Sequence, residues 1–285
     1  MQKFLWVFFA LAALGIGAYL GLQTGDSPKV DSSPQFQMIF LEPELGGGVL
    51  VITPEKRTLL IDPGSNETAE NLKIYLQNTN ISPNAVLLTT TNSKRIGAFA
   101  EINNSFKLNR LLIGEAFSFP SAPLINTADN LGKKLPENLI MGGDKIFISK
   151  STSIDVLSPY RGTSNDPKDN IIILRIVYGN YSFLMISDSG IKQQSELIML
   201  NKSIESDVLI VPADNSNSPT LEMLVKIRPD NIIVNPVLDV VSSSALRRMG
   251  TSHTQAQLYR TDEIGTIILT CNGKTINIKK EQINQ

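Results

Sequence analysis

From Phe36 to Lys280 the sequence is a succession of short apolar runs, and their length constrains the fold more than any other feature. FQMIFLE, GVLVIT, RTLLID, NAVLL and NRLLIG occupy the first half. NIIILRIVYGN, YSFLMISD, DVLIVPA, NIIVNPV, AQLYR, GTIILTC and KTINIKK occupy the second, with KIFIS and SIDVL between the two sets. Runs of this length, rich in Ile, Val and Leu and cut off by Gly, Asn, Asp or Pro, are strands. Between them lie stretches with apolar residues at helical spacing: SNETAENLKIYLQNTN, a short one beginning RIGAFAEIN, Gly190 to Leu200, Pro219 to Ile227 and Ser242 to Met249. Ser65 is placed to cap the first helix. Pro219 is placed in the first turn of its helix, where a missing N–H costs nothing. Gly179-Asn180 reads as a hairpin turn. Phe117 to Met141, rich in Pro, Ser and Asn, follows neither period. Many strands with helices interspersed, in two comparable halves, predict an α/β sandwich: two sheets inside, helices outside, one domain.

Ahead of this pattern, Phe4 to Leu22 is a run of 19 residues without a charge. As a helix it would reach about 28 Å, close to the roughly 30 Å hydrocarbon core of a bilayer. Trp6 and Tyr19 stand near its ends, where amphipathic rings prefer the headgroup level. The apolar region of a cleaved signal is shorter, about 7–15 residues. The length therefore favours a retained anchor over residues 1–22, with a signal peptide cut near Gly15-Ile16-Gly17 as the alternative. Lys3 before the run, with few cations just after it, puts the N-terminus in the cytoplasm and the remainder outside. Residues 23–36, polar with Gly, Ser and Pro, read as a tether. Residues 37–285 are the expected folded domain.

Composition narrows the chemistry. The chain of 285 residues is 42% hydrophobic and 19% charged, which suits a folded domain. Lys+Arg is 26 against Asp+Glu 27, a formal net charge of -1, so the totals carry no basic footprint for nucleic acid. One cysteine excludes an intrachain disulfide and a Cys-rich zinc site. Cys271, within a strand pattern, reads as a small core residue. Most catalytic zinc sites need two or three imidazoles, and His253 is the single histidine.

The segments MIFLEPELGGGVLVITPEKRTLLIDPGS, LLTTTNSKRIGAFAEIN, YGNYSFLMISD, Pro212 to Ser216 and YRTDEIGTI follow one another in an order that resembles the metallo-β-lactamase fold. The sequence is most similar to the metallo-β-lactamase-like domain of ComEC-type DNA-internalisation competence proteins, over about Met38 to Ile278. That resemblance implies a four-layer αββα sandwich, here preceded by one N-terminal transmembrane helix. The family's DVGQGD loop falls on Glu42 to Gly47, its LIDxG strand on the stretch containing Asp62, and its THxHxDHxGG loop on Thr89 to Ala98. Its GD dipeptide falls on Ser187-Asp188, and its PHHGS loop on Pro212 to Ser216. The match of Tyr259 to Ile267 to the closing pattern is close.

At nearly every ligand position this chain departs from that pattern. The histidines and aspartate of the metal loop are replaced by Thr90, Asn92, Lys94 and Arg95. The paired histidines of PHHGS are replaced by Ala213 and Asp214. Asp188 and Asp62 survive, and His253 falls outside any ligand position. Ammonium and guanidinium groups offer donors and charge but no lone pair, so Lys94 and Arg95 cannot serve as ligands. The resemblance then implies that the family's zinc pair is lost and that no cofactor is bound. Lys94 is expected to take over the missing positive charge, pairing with Asp188 and Asp214.

The expected function is a membrane-anchored, metal-free binding or scaffold module with an unidentified protein or small-molecule partner. Its vestigial site would comprise Asp62, Thr90, Asn92, Lys94, Arg95, Asp188 and Asp214, none of them catalytic. One alternative is a hydrolase of nuclease or phosphoesterase type, with Asp62, Asp188 and Asp214 around Mg2+, an ion that prefers oxygen donors. Another is a DNA-binding accessory of uptake, which the net charge does not support. Gly46-Gly47-Gly48 is expected to be a tight strand connection. Thr89, Thr90 and Thr91 have no base beside them and are expected to be turn and cap residues.

Overall fold

The computed structural model describes residues 35–118, 135–160, 166, 169–200, 203–212, 214, 216–237, 241–250 and 255–281. The apolar run Phe4 to Leu22, most of the tether, Ala213 and His253 lie outside these described residues. Among the described residues no helix is long and apolar enough to cross a membrane.

The short apolar runs form two sheets. The first is built from β1 (Phe36–Phe40), β2 (Val49–Ile52), β3 (Thr58–Ile61), β4 (Ala85–Leu88), β5 (Arg110–Gly114), β6 (Glu137–Ile140), β14 (Ile267–Cys271) and β15 (Ile276–Lys280), in the order β15-β14-β1-β2-β3-β4-β5-β6. The second is built from β7 (Lys145–Phe147), β8 (Thr152–Ser158), β9 (Ile173–Tyr178), β10 (Tyr181–Met185), β11 (Val208–Val211), β12 (Asn231–Val234) and β13 (Gln257–Arg260), in the order β13-β12-β11-β10-β9-β8-β7. Hairpins make the pairs β1–β2, β2–β3, β7–β8 and β9–β10 antiparallel, whereas β3–β4–β5 and β10–β11–β12 are parallel and need helical crossovers.

The alternation of side chains decides which layer each residue joins. Phe36, Met38 and Phe40 of β1, Val49 and Val51 of β2, and Leu59 and Ile61 of β3 point between the sheets, where they meet Leu174, Ile176, Phe183, Met185 and Ile210. Their neighbours Ile39, Leu50 and Leu60 point outward, under Leu72, Leu76, Phe99 and Ile102. On the far side Leu184, Leu209, Ile232 and Val234 point outward, under Leu197, Met223 and Met249. Because each sheet is buried on both faces, the strands read as continuous apolar runs. Cys271 is fully buried between the sheets, as its strand position implied.

The outer layers come from α1 (Ala69–Asn78), α2 (Ser93–Ile96) and α3 (Phe99–Ser105) on one side, and from α4 (Ile191–Met199), α5 (Leu221–Ile227) and α6 (Ser243–Met249) on the other. A further helical turn, α7 (Thr261–Ile264), joins β13 to β14. Two helix starts differ from expectation. Ser65 does not cap α1, which begins at Ala69. The residues ahead of it are drawn toward the strand ends, where Gly64 donates its N–H to the Arg95 carbonyl at 2.6 Å. Pro219 precedes α5 instead of entering it, because Thr220 takes the cap and its Oγ1 accepts from the Met223 N–H at 3.2 Å. Part of the unassigned stretch is strand β6.

Candidate functional site

The site assembles from loops that leave the C-terminal ends of β3, β4, β10, β11 and β12. The Gly46-Gly47-Gly48 segment is a tight connection at this end. Gly47 has φ +63°, and a Cβ there would stand 2.5 Å from the Pro236 carbonyl oxygen. Its own carbonyl accepts from Asn235 Nδ2 at 2.7 Å, and Asn235 Oδ1 in turn accepts from Thr261 Oγ1 at 3.0 Å. This buried relay ties the glycine loop to β12 and to the Tyr259–Ile267 stretch.

Asp62, just past β3, is 1% exposed and adopts φ +50°. Its Oδ1 accepts the Thr89 N–H at 2.8 Å and its Oδ2 accepts the Thr89 hydroxyl at 2.5 Å. Ser187 Oγ lies 3.4 Å from the same Oδ2 and also bonds the Thr89 hydroxyl. Thr89 is therefore not a turn residue. It is 1% exposed and ties Asp62 of the first sheet to Ser187 of the second. Sequence reading missed the roles of Thr89 and Ser187. The signal was there for Thr89: a buried carboxylate demands donors, and a hydroxyl at the end of the adjacent strand is the nearest supply. Ser187, in the left-handed region at φ +46°, offered no such signal.

Asp188 follows directly and is 11% exposed. Its Oδ1 accepts from Arg95 Nε at 2.5 Å and its Oδ2 from Asn92 Nδ2 at 3.0 Å. The cation that meets Asp188 is thus Arg95, 4% exposed, and not Lys94, which is exposed to solvent. The expected Lys94–Asp188 pairing is corrected on geometric grounds. Asn92 caps α2 by accepting the Lys94 N–H at 3.1 Å, which fixes where the helix starts. Successive helical residues then diverge by roughly 100°, so only one of two adjacent cations can face the interior. Lys94→Ala should change stability by less than about 0.5 kcal/mol in urea denaturation, as for an ordinary surface position. A larger loss would mean that Lys94 shares the buried charge after all.

The remaining expected residues divide. Thr90 is buried and its Oγ1 accepts the Asn92 N–H at 3.1 Å, shaping the turn that presents Asn92. Among the described residues Asp214 makes no salt bridge. It holds its own loop, accepting from the N–H groups of Ser216 and Asn217 at 2.8 and 2.7 Å and from Asn217 Nδ2 at 2.9 Å. Burial pushes the Asp62 carboxyl up to about 6, against the opposing pull of Arg95 and the Thr89 hydrogen bonds, and the charge of Asp188 adds to the rise. Burial alone would lower the Arg95 guanidinium, but the charges of Asp188 and Asp62 outweigh it and raise its pKa. Among the described residues no three His, Cys, Asp or Glu side chains are grouped so that they could hold a metal ion. Above these residues lies an open cleft of about 580 Å³, whose lining among the described residues includes Thr90 to Ser93, Asp169, Ile171, Asp188, Gly190 and Asn217.

Two face-to-face mixed sheets covered by helices, with a loop site at one end, make this the metallo-β-lactamase fold. No family model matches the sequence, and no curated protein matches it. Solved structures do. A protein of Parabacteroides distasonis described as a metal-dependent hydrolase superposes with a TM-score of 0.54 at 12% identity, covering 80% of this chain and 93% of its own. The metallo-β-lactamase fold protein YhfI of Bacillus subtilis gives 0.52 at 12% identity, over 86% and 100%. CmlA, a diiron β-hydroxylase of Streptomyces venezuelae, gives 0.54 at 11% identity over 83% of this chain, which spans 54% of that enzyme. At such identities the likeness establishes the fold alone, and the fold hosts hydrolase and hydroxylase alike.

Proposed function

We propose that this domain is a metal-free member of the metallo-β-lactamase fold that binds a ligand in its strand-end cleft without transforming it. The observation that carries this reading is the buried ion pair between Arg95 and Asp188. A guanidinium beside the carboxylate brings the positive charge that a metal would bring, yet it has no lone pair to coordinate one. Both Asp188 oxygens are already engaged, by Arg95 and Asn92, and both Asp62 oxygens by Thr89. A divalent cation would have to displace the guanidinium and compete with these donors. The zinc pair of the family is lost on this reading, and the donor set does not fit a replacement.

The nearer likeness to ComEC-type domains rests on the order of the loops and on Tyr259 to Ile267. Thr261, within that stretch, closes the relay through Asn235 to the glycine loop. Phe4 to Leu22 would hold the domain at a membrane, with residues 37–285 on the extracytoplasmic side.

The test is calorimetric titration of the purified full-length chain with Zn2+, Mn2+ and Mg2+. The expected result is no stoichiometric binding at micromolar concentrations. One-to-one micromolar binding would sink the metal-free reading and favour the hydrolase built on Asp62, Asp188 and Asp214. Salt-sensitive retardation of single-stranded DNA by the chain would instead favour the uptake accessory.

A further inference from the structure

The lining of the cleft presents solvent-facing polar groups without protein partners. Thr91 Oγ1, Ser93 Oγ and Asn217 Oδ1 make no hydrogen bond among the described residues, whereas the charged groups beside them are matched. Asp188 is held by Arg95 and Asn92, Asp169 by Lys192 at 2.5 Å, and Asp214 by the N–H groups of its own loop. Among the described residues of the lining, Ile171 is the one aliphatic side chain besides the threonine methyl groups. The lining mixes polar and apolar surface in near-equal parts, so a purely apolar molecule would cover hydroxyl and amide groups and leave them unpaired, which is costly. A polyanion would approach the carboxylates of Asp169 and Asp188, and a polycation would have to compete with Lys192 and Arg95 for them.

A ligand suited to this wall is neutral and carries many hydroxyls, each able to donate to a carboxylate or amide oxygen and to accept from a threonine or serine hydroxyl. The volume, about 580 Å³, falls within the range of roughly 300–1,000 Å³ typical of small-molecule sites. We propose that the cleft binds a neutral saccharide, with Thr91, Ser93 and Asn217 supplying the contacts and the paired Asp188 accepting from sugar hydroxyls. This deepens the binding-module reading above and rests on it. Recognition is by hydrogen bonds and not by aromatic stacking, so the binding is weak and independent of salt.

Gly190 supplies the control. A Cβ built there meets nothing within 4 Å, so a side chain can enter the cleft without moving the backbone. The experiment is saturation-transfer difference NMR on the full-length chain in a detergent without a sugar headgroup. The probes are N-acetylchitotetraose, cellotetraose and maltotetraose, with spermidine and pyrophosphate as charged comparators. The expected result is saturable transfer to at least one tetrasaccharide, unchanged by 0.5 M NaCl added as a roughly screening concentration. The transfer should fall at least about fivefold, roughly 1 kcal/mol, in Gly190→Tyr and in Ser93→Tyr, each shown folded by circular dichroism. No transfer to any tetrasaccharide would overturn the proposal. So would transfer that persists in both folded variants, or binding confined to spermidine or pyrophosphate. Zinc titration of the same preparation separates the two failures. Zinc binding overturns the metal-free reading, whereas absent zinc binding with absent saccharide transfer overturns only the ligand class.

Discussion

Arg95→Ala is expected to destabilise the domain by about 3–5 kcal/mol, the loss typical when one partner of a buried ion pair is removed. Asp188 would keep Asn92 as a partner but lose its counter-charge, and Asp62 would lose the nearest cation that opposes its desolvation. Since a domain is stable by only about 5–15 kcal/mol, the variant should unfold at markedly lower urea and lie partly unfolded at physiological temperature. The double variant Arg95→Leu with Asp188→Asn is expected to recover much of this loss. It removes both charges together, and replacing a buried pair by uncharged groups is often close to neutral. The two variants separate the value of the pair from the cost of leaving one half behind. An Arg95→Ala loss below about 1 kcal/mol, within the ordinary range for a point substitution, would show that the guanidinium is not needed to neutralise the buried carboxylates.

Asp62 gives the second large effect, read through pH. Its folded-state pKa, raised to about 6 from the ordinary 3.8, means that the native chain holds this proton more tightly than the unfolded chain does. Stability from this group is therefore fully present below its unfolded value, and it is lost as pH rises through about 6. The difference corresponds to about 3 kcal/mol between the two plateaus. Asp62→Asn keeps an acceptor for the Thr89 N–H but cannot ionise. The gap in unfolding free energy between the natural chain and Asp62→Asn should therefore shift in favour of the variant as pH goes from 4 to 7. Denaturation curves at several pH values would check this. A gap that stays constant would mean that Asp62 is charged throughout and that its environment compensates the burial completely.

Both predictions concern residues whose places in the loops were legible from the sequence but whose partners were not. Asp62 and Asp188 stand where apolar runs end, so their position at the strand-end rim followed from the period of the strands. The Lys94-Arg95 dipeptide announced a cation beside them. Which of the two turns inward depends on where α2 starts, and that is set by Asn92 capping the helix. The tie between Thr89 and Ser187 joins residues 98 positions apart and has no local signature.

By itself, the sequence determined the layers of this protein. Short, continuous apolar runs bounded by turn residues force strands that are buried on both faces, and helical spacing between them supplies the covers. It also determined part of the chemical character of the rim, because lysine and arginine at those positions bring donors and positive charge and no lone pair. Only the tertiary structure decided that Arg95 and not Lys94 neutralises Asp188. It also decided that Thr89 and Ser187 close over Asp62, and that in the cleft beside them Asp169 and Asp188 are paired, whereas the Thr91 and Ser93 hydroxyls have no partner among the described residues. The physical reason is one of range. Periodicity and capping act over a few residues, whereas ion pairing and burial depend on which loop ends the two sheets bring face to face.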